Sequence, residues 1–486
     1  MRTRVIIGVI VLLTSIFSCK KWVETKSDES TYVVDVLTDR EGFSRALAGI
    51  YYKMGSATLY GRELEFGMLD VMVGYWKINK QHEYYPDYNF DYHSLSSERR
   101  IAGIWSGLYR AIHDCNVILD QVDKIKSDPY YDLIKGEALG LRAFLHLELL
   151  KLFGPIIKQE GLDTRAIPYY SSSSREVQEF LSSRACFALM EQDLQAAKIL
   201  LKADPIITRG READGNHVGD RYNSLIDRRG IHLNYYAVLA LLARKAQWEG
   251  NMGEAAVRAR FLLDQLGDTQ AVRFIAPSEA IGGNIRFTKE NIFGLYINDM
   301  DEVTEDYFPS GDIAPNRALP LDFNSFLIYL YAKDTGTSTD LRVSAWGMFS
   351  VFLQKFMAPT MTASGYDPDL YEAQIINLPE IYFILVEAFL DRDLEKGLNY
   401  LNTVRRARQL PELKFSDKWT KEKLAENLLD EVRREYLGEG YLFTYYKHLN
   451  HTIYRSTGSI DPDRKIFMLP IPVEEQQLNQ GYGIKK

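Results

Sequence analysis

The stretch from Gly136 to Phe153 is apolar almost all the way round a helical wheel, with only a few charged or polar positions to break it. A helix without a broad polar face has to be enclosed on most sides. The remainder of the chain must therefore supply the elements that enclose it, and the pattern of the sequence says these are mainly helices. Gly154-Pro155 closes the segment, since proline cannot continue a helical hydrogen-bond ladder.

Upstream, Thr38-Asp39-Arg40-Glu41 has the spacing of a capping box, with Thr38 and Glu41 satisfying free amide donors. Phe43, Leu47, Ile50, Tyr51 and Met54 then recur at helical spacing. A second helix is expected from about Glu98 to Ile125, with Ile101, Trp105, Leu108, Ile112, Cys115 and Leu119 facing inward. Downstream, three helix pairs are expected at about 136–201, 231–266 and 380–408. The first closes with Glu176–Leu201. The second joins Ile231–Glu249 to Glu254–Leu266, and the third joins Ile381–Leu390 to Leu394–Arg408. Ala240, Ala243 and Ala246 face Ala255, Ala256 and Ala259, as two closely approaching helices require. The manner is that of tetratricopeptide repeats, although the period is irregular. Between about 282 and 378 the character changes. Asn291–Ile297 reads as a strand, and prolines and glycines such as Pro309, Gly311, Pro320 and Gly336 break up the rest. The expected fold class is mostly α, with helix pairs beside an irregular, loop-rich half where recognition residues tend to sit.

The N-terminus addresses the chain outward. Arg2 and Arg4 precede the apolar run Val5 to Leu13 and then Ser18-Cys19, the arrangement of a secretory signal over residues 1–18. Ile16-Phe17-Ser18-Cys19 resembles a bacterial lipoprotein box, which makes Cys19 the acylated residue, although Phe17 is bulkier than that pattern prefers. Residues 19–36 read as a flexible tether, and 37–486 as a single domain. The full chain carries a formal net charge of −8. Losing the signal removes two arginines and no acids, so the mature chain is more acidic still and has no general pull toward nucleic acid. Cys115 and Cys186 are too few for a disulfide framework; buried thiols are expected, with a bridge between them left open.

Several segments, in order, resemble the SusD/RagB family of nutrient-binding outer-membrane lipoproteins. Thr38 to Tyr52 looks like that family's first helix. Trp105, Tyr109, Ile112 and Asn116 match its W-x-x-x-Y-x-x-I-x-x-x-N pattern, and Gly136 to Pro155 its G-E-A-x-x-L-R-A helix. Asp340-Leu341-Arg342, Glu380 to Arg406, Glu431 to Gly440 and Met468 to Tyr482 resemble the later motifs. The resemblance implies a SusD-like domain on the outer membrane, facing the cell exterior, that hands ligand to a SusC-like TonB-dependent transporter. It implies oligosaccharide ligands, with peptides in some branches. One departure is Lys20-Lys21-Trp22, where an acidic export signal is expected after the cysteine.

Residues 75–92 hold seven aromatic side chains in eighteen positions, interleaved with amides and charges and without a helical stripe. Sugars need flat apolar faces for their C–H surfaces and polar partners for their hydroxyls, so Tyr75, Trp76, Tyr84, Tyr85 and Tyr88 are the leading ligand contacts. The resemblance places part of the family's ligand site in the same region. Trp346 and Tyr366, with Tyr371, form a second set. Asp70 and Arg342 are candidate polar partners, although for both the alternative role, a structural salt bridge or cap, is the expected one. For Trp105 and Tyr109 core packing is expected. No G-x-S-x-G, H-E-x-x-H or phosphate-binding glycine loop is present. His448 with His451, and Asp299, Asp301, Glu305 and Asp306, are weak metal-like groupings without a full ligand set. No metal, cofactor or catalytic group is expected. The expected function is capture of a nutrient oligosaccharide rather than catalysis. The alternatives are peptide capture, a secreted glycosidase or peptidase, and a pure interaction scaffold.

Overall fold

The computed structural model describes residues 37–479, apart from 175, 212–224, 268, 270, 312, 324–329, 332–338, 349 and 358–367. The secretion signal, Cys19, the tether and Tyr366 lie outside the described residues.

The first helix, α1 (Arg40–Met54), buries the expected stripe of Phe43, Leu47, Ile50, Tyr51 and Met54. Its cap is Asp39, whose carboxylate accepts from the Gly42 amide at 2.9 Å, and not Thr38. Glu41 turns outward to Arg45 instead of closing a box; a carboxylate reaches the amides as readily as a hydroxyl does, so the start moves one residue on. α2 (Leu95–Gln121) begins three residues before the expected Glu98, capped by Ser94, and runs into a 3-10 turn at Val122–Ile125. α3 (Tyr131–Phe153) is the enclosed helix. From Gly136 to Phe153 every residue is buried.

Strand β1 (Arg165–Pro168) pairs antiparallel with β2 (Phe180–Ser182), and α4 (Ser183–Leu200) follows directly. The helix expected from Glu176 therefore starts later. Phe180 is drawn into an extended segment where its ring stacks on Trp105, and Ser182 caps the Ala185 amide. α5 (Tyr235–Trp248) and α6 (Met252–Leu266) pack together with all six alanines of the facing pattern buried. β3 (Asn291–Tyr296) pairs antiparallel with β4 (Glu372–Asn377), which leads into α7 (Leu378–Phe389). α8 (Leu394–Ala407), α9 (Lys421–Glu435), α10 (Tyr441–Leu449) and the hairpin of β5 (Ile453–Arg455) and β6 (Gly458–Ile460) complete the order. Each helix from α3 to α9 packs on its neighbour in turn, forming a continuous helical layer beside the loop-rich half. The buried apolar side chains make one connected core from Leu37 to Leu469. Cys115 and Cys186 are both buried free thiols, without a bridge. Among the described residues, no helix is long and apolar enough to cross a membrane.

The motifs on α3 are structural. Glu137, fully buried, receives Arg229 at 2.8 Å and pairs with His232 at 3.0 Å; burial works against its ionisation, but the Arg229 charge and the hydrogen bonds it accepts hold its carboxyl at about 2. Arg142 forks onto Asp193. A larger network ties the loop-rich half to the helices. Arg342 meets Asp340, Glu431 and Glu435; Arg408 meets Glu290 and Glu435; Arg405 and Arg434 meet Glu431. Four arginines thus face four carboxylates, all buried, so this network carries no net formal charge.

Candidate functional site

The aromatic cluster of residues 75–92 is interior structure. Asp70 is completely buried, accepting from the Trp76 indole at 2.7 Å and from the Gly438 amide at 3.1 Å; burial pushes its carboxyl up to about 7. Trp76, 1% exposed, packs edge-on against Phe308, and Tyr75 and Tyr84 have no exposure at all. The Tyr84 hydroxyl donates to Glu63 and its ring lies under Arg100. Tyr88 is covered by Arg455, and its hydroxyl meets Thr457. Of this group only Tyr85 and Phe90 keep partial exposure. The reason lies in the local chain. The helices here are single turns, Met68–Val71 and Tyr85–Tyr88, and cannot cover their own faces. The rings fill the space beneath them instead. Arg342 belongs to the ion network, the alternative role foreseen for it. Trp346 donates to the Ile285 carbonyl and packs on Phe287 under the Lys355 ammonium. Tyr75, Trp76, Tyr84, Tyr88 and Trp346 are therefore interior side chains and do not form an open sugar platform. His448 pairs with Glu387, and no group of three metal-type ligands occurs among the described residues.

Open space lies elsewhere, along the outward face of α2. Two adjoining clefts of about 460 and 530 Å³ share Lys53, Ser106 and Arg110 as common lining. Each lies in the range of about 300–1,000 Å³ usual for small-molecule sites. Gly103, Ser106, Gly107 and Arg110 form one stripe of the helix and serve as the floor. The glycines are there for a close approach: a β-carbon on Gly103 would sit 2.8 Å from Thr58, and one on Gly107 would sit 3.1 Å from Leu59. They let the segment after α1 lie against the helix. Tyr52, 64% exposed, stands on the wall of the first cleft; Tyr296, Asn298 and Asp299 line it too. Tyr296 is held by stacking on Tyr371 at 5.8 Å.

The second cleft is walled by Trp105, Tyr109 and Tyr170, with His113, Ser172 and Glu475. Trp105 packs largely into the core, as expected for it, against Phe153 and Phe180. Tyr109 stays half-buried, with its hydroxyl on the Pro168 carbonyl. Asn116 fixes the opposite wall by donating to the Tyr170 and Ser172 carbonyls, both at 3.0 Å, while accepting from Arg142. The motif asparagine and the motif arginine of α3 thus set the shape of this cleft without lining it with charge. Glu475, from the C-terminal helix Val473–Leu478, takes hydrogen bonds from Trp105 and Asn479, and burial raises its carboxyl above the ordinary value. At the junction Lys53 reaches Asp114 at 2.5 Å. Phenol faces, amides, hydroxyls and a balanced set of charges are the means of holding a polyhydroxylated molecule. Sequence reading missed this groove. Its signal was the run of small residues at Gly103, Ser106 and Gly107 on a helix otherwise rich in large side chains.

Residues 21–210 match the model of a SusD-like family described as starch-binding and associating with the outer membrane. Over this stretch the chain is similar to that family. Solved SusD structures share its fold over nearly their whole length. A SusD superfamily protein from Bacteroides fragilis is 18% identical, with 92% of this chain and 99% of that one covered at a TM-score of 0.69. A sugar-binding protein from Bacteroides vulgatus is 21% identical, covering 90% and 96% at 0.69. A laminarin-binding SusD-like protein is 18% identical, covering 91% and 98% at 0.62. No curated protein matches the sequence.

Proposed function

We propose that this SusD-like chain captures a nutrient oligosaccharide in the groove along α2 and passes it to a SusC-like TonB-dependent transporter. The carrying observation is the groove itself, in which Tyr52, Tyr296, Tyr109 and Tyr170 are set among amides, hydroxyls and charges. Tyrosine supplies both a flat apolar face and a polar tip with little rotamer entropy to lose. The family description and the sugar-binding and laminarin-binding structures of the same fold support a glycan as ligand. Residues 37–486 act in this reading as one domain, held by the tether 19–36 to acyl chains on Cys19 at the cell surface. One acyl chain binds a bilayer only marginally, so a lipoprotein anchor carries more than one.

A glycan array on the chain lacking residues 1–19 tests the reading. Binding to one glycan class is expected, and Tyr52→Ala and Tyr170→Ala should each weaken it about 2- to 10-fold, as loss of a stacking ring does. A folded protein that binds peptides and no glycan, or whose binding ignores both substitutions, would overturn it.

A further inference from the structure

Taking the α2 groove as the sugar site, we infer that its ligand is an extended linear oligosaccharide that occupies both clefts at once, crossing the junction at Lys53, Ser106 and Arg110. The inference rests on the proposed function but goes further, because it sets a minimum length and a direction for the chain. Three observations carry it.

The two clefts are not separate pockets. They share three lining residues, so a molecule in one borders on the other. The floor is also continuous. From Gly103 to Asn116 the lining follows a single uninterrupted helix, and at 1.5 Å per residue those thirteen steps span about 20 Å. That is several times the width of one pyranose ring. Finally, the aromatic faces are divided between the two clefts, with Tyr52 and Tyr296 in the first and Tyr109 and Tyr170 in the second. Between them stand only polar groups and the small Ser106. A single sugar can reach one set of rings. A chain reaches both, and its polar middle meets the serine hydroxyl and the cations.

The energetic consequence follows from linkage. Once one end of a chain is seated, engagement of the other cleft is intramolecular, so its effective concentration is high and the two contributions reinforce one another. Affinity should therefore rise steeply with length until both clefts are filled and then level off. Filling the junction should abolish the rise without removing either set of rings.

The test is titration calorimetry on the chain lacking residues 1–19. The probes are monosaccharides and size-fractionated hydrolysates of starch, laminarin, xylan and mannan. Wild type is expected to bind fractions long enough to fill both clefts at least about tenfold more tightly than the matching monosaccharide. Ser106→Trp, with an unchanged melting temperature, should bring long fractions down to the short-sugar level. Tyr52→Ala and Tyr170→Ala should both weaken the same long fraction. If the monosaccharide binds as tightly as the long fraction, if Ser106→Trp leaves the length dependence intact, or if only one tyrosine matters, the two-cleft chain is wrong while the sugar site stands. If no fraction of any length binds, the site assignment fails and this inference fails with it.

Discussion

At the scale of single residues, the structure separates side chains that line open space from side chains that hold the fold. Trp76 looked like a stacking ring but is a core side chain tethered to Asp70. Trp76→Ala should cost about 3–5 kcal/mol of stability, measured as a lower midpoint in urea, before any effect on ligand. Arg408 sits between Glu290 and Glu435. Breaking a buried pair leaves an uncompensated charge, so Arg408→Met should cost about 3–5 kcal/mol, while removing both partners costs less. Glu65 gives a pH signature. It lies fully buried near Arg286, Lys355, Glu439 and Asp70, and burial pushes its carboxyl up to about 8. The folded state then holds a proton that the unfolded chain has released from about pH 4.5 upward, so stability falls between about pH 4.5 and 8. Asp70, at about 7, acts in the same direction. Glu65→Gln should flatten part of that fall, seen as a smaller drop in melting temperature from pH 5 to 8. An equal drop in variant and wild type would remove Glu65 as the cause.

At the scale of elements, the helices were legible because apolar period is a local signal. The stripe of α1, the enclosed face of α3 and the alanines between α5 and α6 all appear where the spacing puts them. Starts were less legible, since Asp39 competes with Thr38 as a cap and Phe180 prefers a strand beside Trp105. The aromatic stretch defeated the reading for a related reason. Tyrosines without a period look the same whether they line a groove or fill the space under single-turn helices. The motif ending at Gly440 carries a purely steric demand. Gly440 opens α10 with a φ of 63°, and a β-carbon there would meet the Leu64 carbonyl. Gly440→Ala should therefore destabilise by about 1–3 kcal/mol, with strained backbone adding to it. A melting temperature equal to wild type would mean that the loop shifts freely.

At the scale of the whole molecule, the resemblance to SusD-like proteins and the mostly helical architecture were readable, because the motifs that carry the resemblance stand in order along the chain. The network that fastens the loop-rich half was not. Arg408 and Glu290 are 118 positions apart, and no local pattern announces that they meet. The groove was equally hidden, because it joins the end of α1, the middle of α2, β3 and the C-terminal helix. The proposed anchoring through Cys19 is also tested at this scale. Cys19→Ala should move the protein from the membrane fraction to the soluble fraction of cells, leaving the melting temperature of the folded part as it was.

The floor of that groove has a consequence of its own. A helix keeps its repeat because every turn is pinned to the one before it, so Gly103, Ser106 and Arg110 behave like the marks on a rigid ruler. In the proposed capture, a polymer laid along them is measured against fixed spacings. Chains whose substituents fall in step with those marks would gain at each repeat until both clefts are filled, and chains that drift out of step would gain less. Discrimination between linkages would then grow with the size of the molecule captured, without a single moving part.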